Sequence, residues 1–179
     1  DVGSKFDYMF YNLKLLESFN WSTDNFTLES ATSVRYMFGY FPLSSLDMSN
    51  TNPPALTSIA GLFAYSKITS IDIDHWDVSN VTDFSYSLAS YDLDTLNISS
   101  WDTGSATNFS GMFRNTNLTS LDLSHFDTRN VINMSNMFAY MSHIQNNSLI
   151  ISGDNWNTSK VTNFSSMFYG MTSITALDL

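Results

Sequence analysis

The chain lacks cysteine and has few basic residues, and both absences narrow its possible functions. Without cysteine, disulfides, thiolate nucleophiles and Cys-ligated metals are excluded. Only 7 of the 179 residues are Lys or Arg against 17 Asp or Glu, so the net charge is -10. A groove that follows nucleic acid phosphates needs clustered basic side chains, and we therefore expect no nucleic acid partner. No apolar run approaches the roughly 18 residues that a membrane span needs, so we expect no membrane insertion by this segment.

Glutamate is also scarce, and small polar residues take its place. Glu occurs twice, whereas Ser, Thr and Asn together make up 64 residues. These side chains satisfy backbone groups in turns and caps, so the chain changes direction often. With 43% hydrophobic and 15% aromatic residues, it still has enough apolar surface for a core. Because the sequence starts at Asp1 and stops at Leu179 within an apolar pattern, we expect it to be part of a longer protein.

A repeat of about 25 residues is the dominant pattern of the sequence. An apolar residue, usually Phe after Met, recurs with gaps of 28, 25, 25, 25, 25 and 30 residues. Further apolar residues stand seven and four positions before it, and these offsets define one face of a helix. Polar residues able to cap a helix precede each run. The pattern therefore predicts a short helix in every repeat, marked by Phe10, Phe38, Phe63, Leu88, Phe113, Phe138 and Phe168.

A second motif follows each predicted helix and alternates apolar and polar residues. In Leu121-Asp122-Leu123 this alternation predicts a short strand with both leucines buried and the aspartate outward. Equivalent strands are predicted within residues 43–48, 68–73, 93–98 and 118–123.

Stacked copies of a strand-plus-helix unit bury surface that a single copy leaves exposed. The sequence therefore predicts an α/β repeat solenoid, similar to a leucine-rich repeat, with one short parallel strand and one short helix per repeat and six to seven rungs. We expect a single unit over residues 1–179. It divides into an irregular first repeat (1–27), regular repeats (28–142) and stretched, truncated final repeats (143–179).

These motifs resemble the BspA-type leucine-rich repeats of bacterial surface proteins, which are abundant in lactobacilli, related Gram-positive bacteria and mycoplasmas. The resemblance is closest in segments 121–131 and 161–168, and it is clear from about residue 43 onward. It implies an extracellular protein, at the cell surface or attached to the cell wall, whose repeats contact host proteins, mucus, extracellular matrix or neighbouring cells. The family defines no catalytic residues, so none is transferred to this chain.

The outward strand position is predominantly acidic and forms the first candidate binding surface. It carries Asp47, Asp72, Asn97 and Asp122, with Asp178 at the end of the chain. Like charges side by side on a sheet are mildly unfavourable, so the column requires an explanation. It is either a surface that binds sugars, basic proteins or calcium, or a set of solvated positions copied by repeat duplication. We expect no cofactor, since a column spreads the oxygens that calcium needs to converge, and calcium stays an open alternative.

Tyrosines near the end of each predicted helix form the second candidate surface. Tyr40, Tyr65 and Tyr140 stand two residues after the repeated Phe, and Tyr91 lies one position further along its repeat. Tyrosine offers a large contact area at little entropy cost, together with a hydroxyl, which suits sugar stacking and protein interfaces. The alternative is half-buried packing between successive repeats.

The sequence predicts neither a metal centre nor an enzyme. His75 and His125 share a repeat phase, but two strand spacings of roughly 10 Å in total separate them, which is too far for one zinc ion. A catalytic triad is a single constellation, whereas Ser and Asp recur here in every repeat.

These observations predict a non-enzymatic cell-surface adhesion module. It would recognise a host or matrix macromolecule, whether protein, mucin or glycan, through the exposed sheet face of the solenoid. The alternative is a passive structural spacer that presents another domain away from the cell wall, and this explains the repetition equally well. The stretched segment 143–154 is the strongest candidate for a non-repeating element that would favour binding.

Overall fold

The computed structural model describes residues 4–20 and 27–177, and its regular secondary structure consists of short parallel strands. They form three two-stranded sheets that pair β1 with β2, β3 with β4 and β5 with β6. The candidate position Asp178 lies outside the described residues, as do both chain ends. The strands are β1 Ser4–Lys5, β2 Ala31–Ser33, β3 Ser70–Asp72, β4 Thr95–Asn97, β5 Leu121–Asp122 and β6 Leu149–Ile150.

A ladder of single parallel bridges links the successive repeats. Neighbouring bridged residues are 25 positions apart, except for Asn133 and Asn163, which are 30 apart. The period predicted from the sequence is therefore confirmed, including the longer sixth repeat. The bridged residues are Ser33, Ser58, Asp83, Asn108, Asn133 and Asn163.

The prediction of a helix in every repeat is wrong. Within residues 4–20 and 27–177 there is no helix, and the segments that carry the repeated Phe are runs of tight turns. The Met37 N–H donates to the Val34 carbonyl, three residues back, at 3.2 Å. The adjacent Phe38 N–H donates instead to the Leu62 carbonyl of the next repeat, at 2.9 Å. Half of the backbone N–H groups in the segment therefore donate to the next repeat, whereas in a helix they would donate within the segment.

Left-handed backbone geometry explains why these segments do not continue as helices. Tyr36 and Tyr40 have φ angles of 50° and 55°, whereas an α-helix needs negative φ at every residue. In six of the seven repeats two such residues stand four positions apart and interrupt the helix that the apolar spacing would allow, and in the fourth repeat Tyr86 alone does so, with φ 53°. The pairs are Tyr8 and Asn12, Tyr36 and Tyr40, Gly61 and Tyr65, Gly111 and Asn115, Asn136 and Tyr140, and Ser166 and Gly170.

The predicted α/β repeat solenoid is overturned by these observations. The described residues contain no helical layer, and their strands form three small separate sheets in place of one continuous sheet. Residues 43–48 contain no strand, although β3, β4 and β5 do fall in the other predicted ranges. β2 lies where the apolar spacing predicted a helix. In the part of the chain that the structure covers, no helix is long and apolar enough to cross a membrane.

The core is made by apolar side chains from both the turn segments and the strands. Leu121 and Leu123 are buried and Asp122 is exposed, so the predicted alternation is confirmed. Trp101 is buried, and its Nε1–H donates to the Ile73 carbonyl at 3.0 Å. The repeated apolar residue is fully buried in the central repeats, at Phe38, Phe63, Leu88, Phe113 and Phe138.

Candidate functional site

The acidic column predicted from the sequence is only partly assembled. Asp72 in β3 lies beside Asn97 in β4, and Asp122 in β5 lies beside Ile150 in β6. Asp47 stands outside the strands. All four predicted column residues, Asp47, Asp72, Asn97 and Asp122, are exposed.

Local hydrogen bonds explain why Asp or Asn occurs at these positions. Asp47 Oδ1 accepts the Ser49 N–H at 3.0 Å and the Ser49 hydroxyl at 2.6 Å. Asp122 Oδ1 accepts the Ser124 N–H at 2.9 Å in the same way. Hydrogen bonds to the charged form favour it, so the Ser49 hydroxyl lowers the pKa of Asp47 and the Ser124 N–H lowers that of Asp122. These carboxylates stabilise turns, which supports the structural interpretation of the column.

The same turn accounts for the repeated Asn-x-Ser motif. Asn108 accepts the N–H of the serine two residues later at 3.0 Å, as Asn133 and Asn163 also do. Asn and Asp are interchangeable as acceptors in this geometry, which explains their exchange between repeats.

The strand face forms a shallow, open groove of about 740 Å³ lined by Asp47, Asp72 and Asn97 together with Ile71 and Leu96. Among the residues that the structure describes, no group of three or more His, Asp or Glu side chains could hold a metal ion. The Nε2 atoms of His75 and His125 lie 2.6 Å and 2.9 Å from backbone carbonyls of earlier repeats, and His75 Nδ1 lies 3.8 Å from Asp72 Oδ1.

The stretched repeat does not interrupt the strand face. β6 continues the pairing, with Leu149 beside Leu121, and Ile150 takes the outward position. Beside it is a small cleft of about 460 Å³ lined mostly by apolar and amide side chains, including Gln145, Asn147 and Ile174.

Tyrosines form a more continuous surface than the aspartates. Tyr40 and Tyr65, both predicted from the sequence, have ring centroids 5.1 Å apart, and Tyr65 lies 5.7 Å from Tyr91. Tyr40 also meets Tyr11 edge to face at 5.6 Å. The connected set, hereafter the tyrosine cluster, comprises Tyr8, Tyr11, Tyr36, Tyr40, Tyr65 and Tyr91.

Sequence reasoning missed Tyr8, Tyr11 and Tyr36, which complete this cluster. Tyr8 and Tyr36 stack with centroids 5.2 Å apart and an interplanar angle of 8°. Tyr36 stands two residues before the repeated Phe, where Gly61 and Gly111 stand in other repeats, and this recurring glycine was the sequence signal for a special position there.

Glycines in neighbouring repeats make room for the rings. A Cβ on Gly61 would lie only 2.4 to 2.6 Å from three ring atoms of Tyr36. Gly111 occupies the corresponding position beneath Tyr86, where a Cβ would lie 2.5 to 2.8 Å from the ring. Both glycines have positive φ, 65° and 61°, so ring packing and backbone geometry select glycine together.

The cluster is exposed although its rings pack against one another. Tyr8, Tyr40 and Tyr91 are 52%, 44% and 52% exposed. No tyrosine hydroxyl donates to or accepts from another residue in ranges 4–20 and 27–177. Partial burial raises the pKa of Tyr36 and of Tyr65, so both phenols stay neutral donors at physiological pH. The cluster therefore presents ring edges and unpaired hydroxyls to solvent.

Tyr140, the fourth predicted tyrosine, lies apart from the cluster. Its ring meets Tyr169 edge to face at 5.2 Å, and the guanidinium of Arg114 lies 4.8 Å from its centroid. Gly170 packs against the same ring, because a Cβ there would lie 2.8 Å from it.

The fold defines a class of repeat protein in which turn segments are linked by a ladder of parallel bridges. A family model described as "Mycoplasma protein of unknown function, DUF285" matches residues 57–177, more than half of the chain, so the chain belongs to this family. Comparison with curated proteins and with solved structures found no match to either.

Proposed function

We propose that the chain is a non-enzymatic binding module that recognises a macromolecule through the tyrosine cluster. The observation that carries this proposal is the set of six contacting tyrosines, four of them exposed and none with a hydrogen bond from its hydroxyl to a described residue. A contiguous exposed apolar patch on a monomer is typical of an interaction site. Tyrosine is enriched at the energetic centre of interfaces because it buries a large area at little entropy cost.

The acidic column is the second candidate contact, and the structure gives it less support. Asp47 and Asp122 are each held by a turn, so their presence is explained without a ligand. The Asp72 side chain remains 72% exposed, and it adds a long-range negative field that would favour a basic partner. We place the column at the edge of the binding module, where charge affects association rate more than affinity.

A non-enzymatic role is supported by the shape of the surface. Catalysis requires a site that excludes water around placed acids and bases. The groove along Asp47, Asp72 and Asn97 is open, and the Asp47 and Asn97 side chains there accept the N–H of the serine two residues later.

An extracellular location, at the cell surface or on the cell wall, is part of the same proposal. It is supported by the resemblance of the repeats to those of BspA-type surface proteins. Host or matrix proteins, mucins and glycans are the proposed partners, and several copies on one cell would strengthen modest affinities by avidity.

A screen of the full chain against mucins, matrix proteins and a glycan array tests the proposal, at low and high salt and with and without calcium. We expect a saturable hit that survives high salt, because contacts by tyrosine are not ionic. Binding that is lost in high salt would indicate that the acidic column makes the contact. Binding that requires calcium would support the alternative of a calcium site. Silence from folded protein would favour the passive spacer.

A further inference from the structure

Arg114 has an environment unlike that of the other basic residues. All seven Lys and Arg residues lie in the described part of the chain, and six are exposed whereas Arg114 is partly buried. Removing a guanidinium from water is unfavourable unless an anion compensates its charge. Yet among the described residues the Lys and Arg side chains form one ion pair, between Arg129 and Asp127, and it does not include Arg114.

The hydrogen-bonding capacity of Arg114 is also largely unused. Its NH1 group donates to Asn136 Oδ1 at 2.8 Å. Its Nε is buried and has no partner among the described residues. A guanidinium carries five N–H donors in a planar fork. The Nε donor is shielded and one NH1 donor is used by Asn136, so the NH2 group and the second NH1 hydrogen are the donors left for a ligand. The ring of Tyr140 covers one face of the fork, at 4.8 Å, and holds it in place.

Arg114 also lies at a gap in the row of tyrosines. Tyr65 and Tyr140 occupy the same turn position in the third and sixth repeats, and the repeats between them carry the smaller Ser90 and Asn115 there. The Tyr91 ring of the fourth repeat packs beside Tyr65 at 5.7 Å, so the gap lies in the fifth repeat. The charge of Arg114 acts on the Tyr65 phenol and opposes the effect of burial on its pKa. The guanidinium is therefore within electrostatic range of the tyrosine cluster on one side and in contact with Tyr140 on the other.

We propose that Arg114 anchors a subsite for the carboxylate of an acidic saccharide, with Tyr65 and Tyr140 flanking the sugar. This inference rests on the proposed binding function and names the ligand class for one part of it. A planar guanidinium pairs with a carboxylate through two parallel hydrogen bonds. Unpaired tyrosine hydroxyls suit the remaining sugar hydroxyls. The net charge of -10 repels a highly acidic protein or peptide. The repulsion is much weaker for a ligand that carries one carboxylate among neutral hydroxyls.

The test is a titration of the full chain with methyl glucuronide and with methyl glucoside, which differ in the carboxylate, followed by NMR. We expect saturable shifts at Arg114, Tyr65 and Tyr140 with the glucuronide and at least tenfold weaker binding of the glucoside. Arg114→Gln should abolish the preference, and Arg114→Lys should weaken glucuronide binding about tenfold because it keeps the charge and loses the fork. Arg129→Gln is the matched control, since Arg129 is exposed and already paired with Asp127, and it should bind as the wild type does.

Several results would overturn the inference. These are absence of saturable glucuronide binding by the wild type, equal binding of the glucoside, or an equal loss in Arg129→Gln. Equally tight binding of N-acetyl-glutamate amide would show a general carboxylate site and also contradict the saccharide assignment. If Arg114→Gln fails to fold, judged by near-UV circular dichroism, Arg114→Lys decides the question. A chain that binds a macromolecule through the tyrosine cluster but ignores the glucuronide would refute the subsite alone.

Discussion

Substituting Gly61 by alanine tests the packing on which the tyrosine cluster depends. The new Cβ would lie 2.4 to 2.6 Å from the Tyr36 ring, closer than any real contact allows, so the ring must move. The backbone adds a second penalty, because Gly61 has φ 65°. An L-residue in the left-handed region costs about 1–2 kcal/mol, and overpacking costs about 1–3 kcal/mol, so Gly61→Ala should lose about 2–5 kcal/mol in total.

A double-mutant cycle separates the two penalties. In a Tyr36→Ser background the ring is gone, so the alanine should cost only the backbone part, about 1–2 kcal/mol. Ser166 holds the same turn position with φ 57°, so a serine fits the backbone at Tyr36. Gly104→Ala is the control. Its φ is not positive, and its nearest contact would be the flexible Asp102 carboxylate at 3.2 Å, so we expect a change below about 1 kcal/mol.

Urea unfolding followed by near-UV circular dichroism gives the free energy of unfolding for each variant. The reasoning is refuted if Gly61→Ala loses no more stability than Gly104→Ala. It is equally refuted if the loss has the same size with and without the Tyr36 ring, since the two residues would then not be in contact.

Three further predictions concern the turns, the core and the secondary structure. The lowered pKa values of the turn-holding aspartates mean that their stabilisation is present above the ordinary value of 3.8 and lost as pH falls through the lower folded value. Asparagine at these positions keeps the hydrogen-bond acceptor but has no carboxyl group to titrate. The fall in Tm from neutral pH to about pH 3 should therefore be smaller in the variant. An unchanged fall in Tm would count against the assignment of these aspartates to turns. Trp101→Phe removes the indole hydrogen bond to the Ile73 carbonyl, which still accepts the Trp76 N–H at 3.1 Å. The variant should therefore lose about 0.5–1.5 kcal/mol in urea unfolding, and no loss would mean that the indole bond is absent in solution. Far-UV circular dichroism should lack the double minimum of helices, and a strong helical signal would contradict the tight-turn segments. The aspartates for the first prediction are Asp47, Asp77 and Asp122. Asp77 Oδ1 accepts the Ser79 N–H at 3.0 Å and the Ser79 hydroxyl at 2.6 Å, as Asp47 does with Ser49.

The period and the core could be predicted from the sequence because both depend on which residues are apolar. Bridged residues recur every 25 positions, and the long gap at Asn133 and Asn163 matches the stretched sixth repeat. Burial of Leu121 and Leu123 around the exposed Asp122 follows directly from alternation. Hydrophobic spacing determines the side that faces inward whatever path the backbone takes.

The backbone path itself could not be predicted from apolar spacing. Offsets of three and four residues fit a helix, and they fit equally well a run of tight turns that returns to the core every few residues. What separates the two is the left-handed residue at every fourth position, occupied by Gly111, Asn115 or Asn136 in some repeats but by tyrosine in others. Gly and Asn at fixed intervals were visible signals against a helix, whereas tyrosine rarely adopts this geometry and concealed the pattern.

The tyrosine cluster was partly predictable for a similar reason. Tyr40, Tyr65 and Tyr91 follow the repeated Phe closely, so their shared surface could be inferred from the repeat. Tyr8 and Tyr36 join them through ring stacking across repeats, which depends on the turn geometry and on the space above Gly61. The positions of the aspartates were predictable from the sequence, but their role was not. Their regular spacing suggested a ligand surface, whereas Asp47 and Asp122 accept hydrogen bonds that stabilise turns.

Comparing two variants on the strongest hit from the binding screen tests the central claim most directly. In the first variant, Tyr40→Asn and Tyr65→Asn remove the middle of the tyrosine cluster, and Asn115 shows that asparagine fits this turn position, with φ 63°. In the second, Asp47→Asn, Asp72→Asn and Asp122→Asn remove the charges of the acidic column and keep its turns. We predict that the tyrosine variant raises Kd at least tenfold, in line with the loss of interface tyrosines, and that the aspartate variant stays within about threefold. A Kd that rises with the aspartate variant and is unchanged in the folded tyrosine variant would contradict the account.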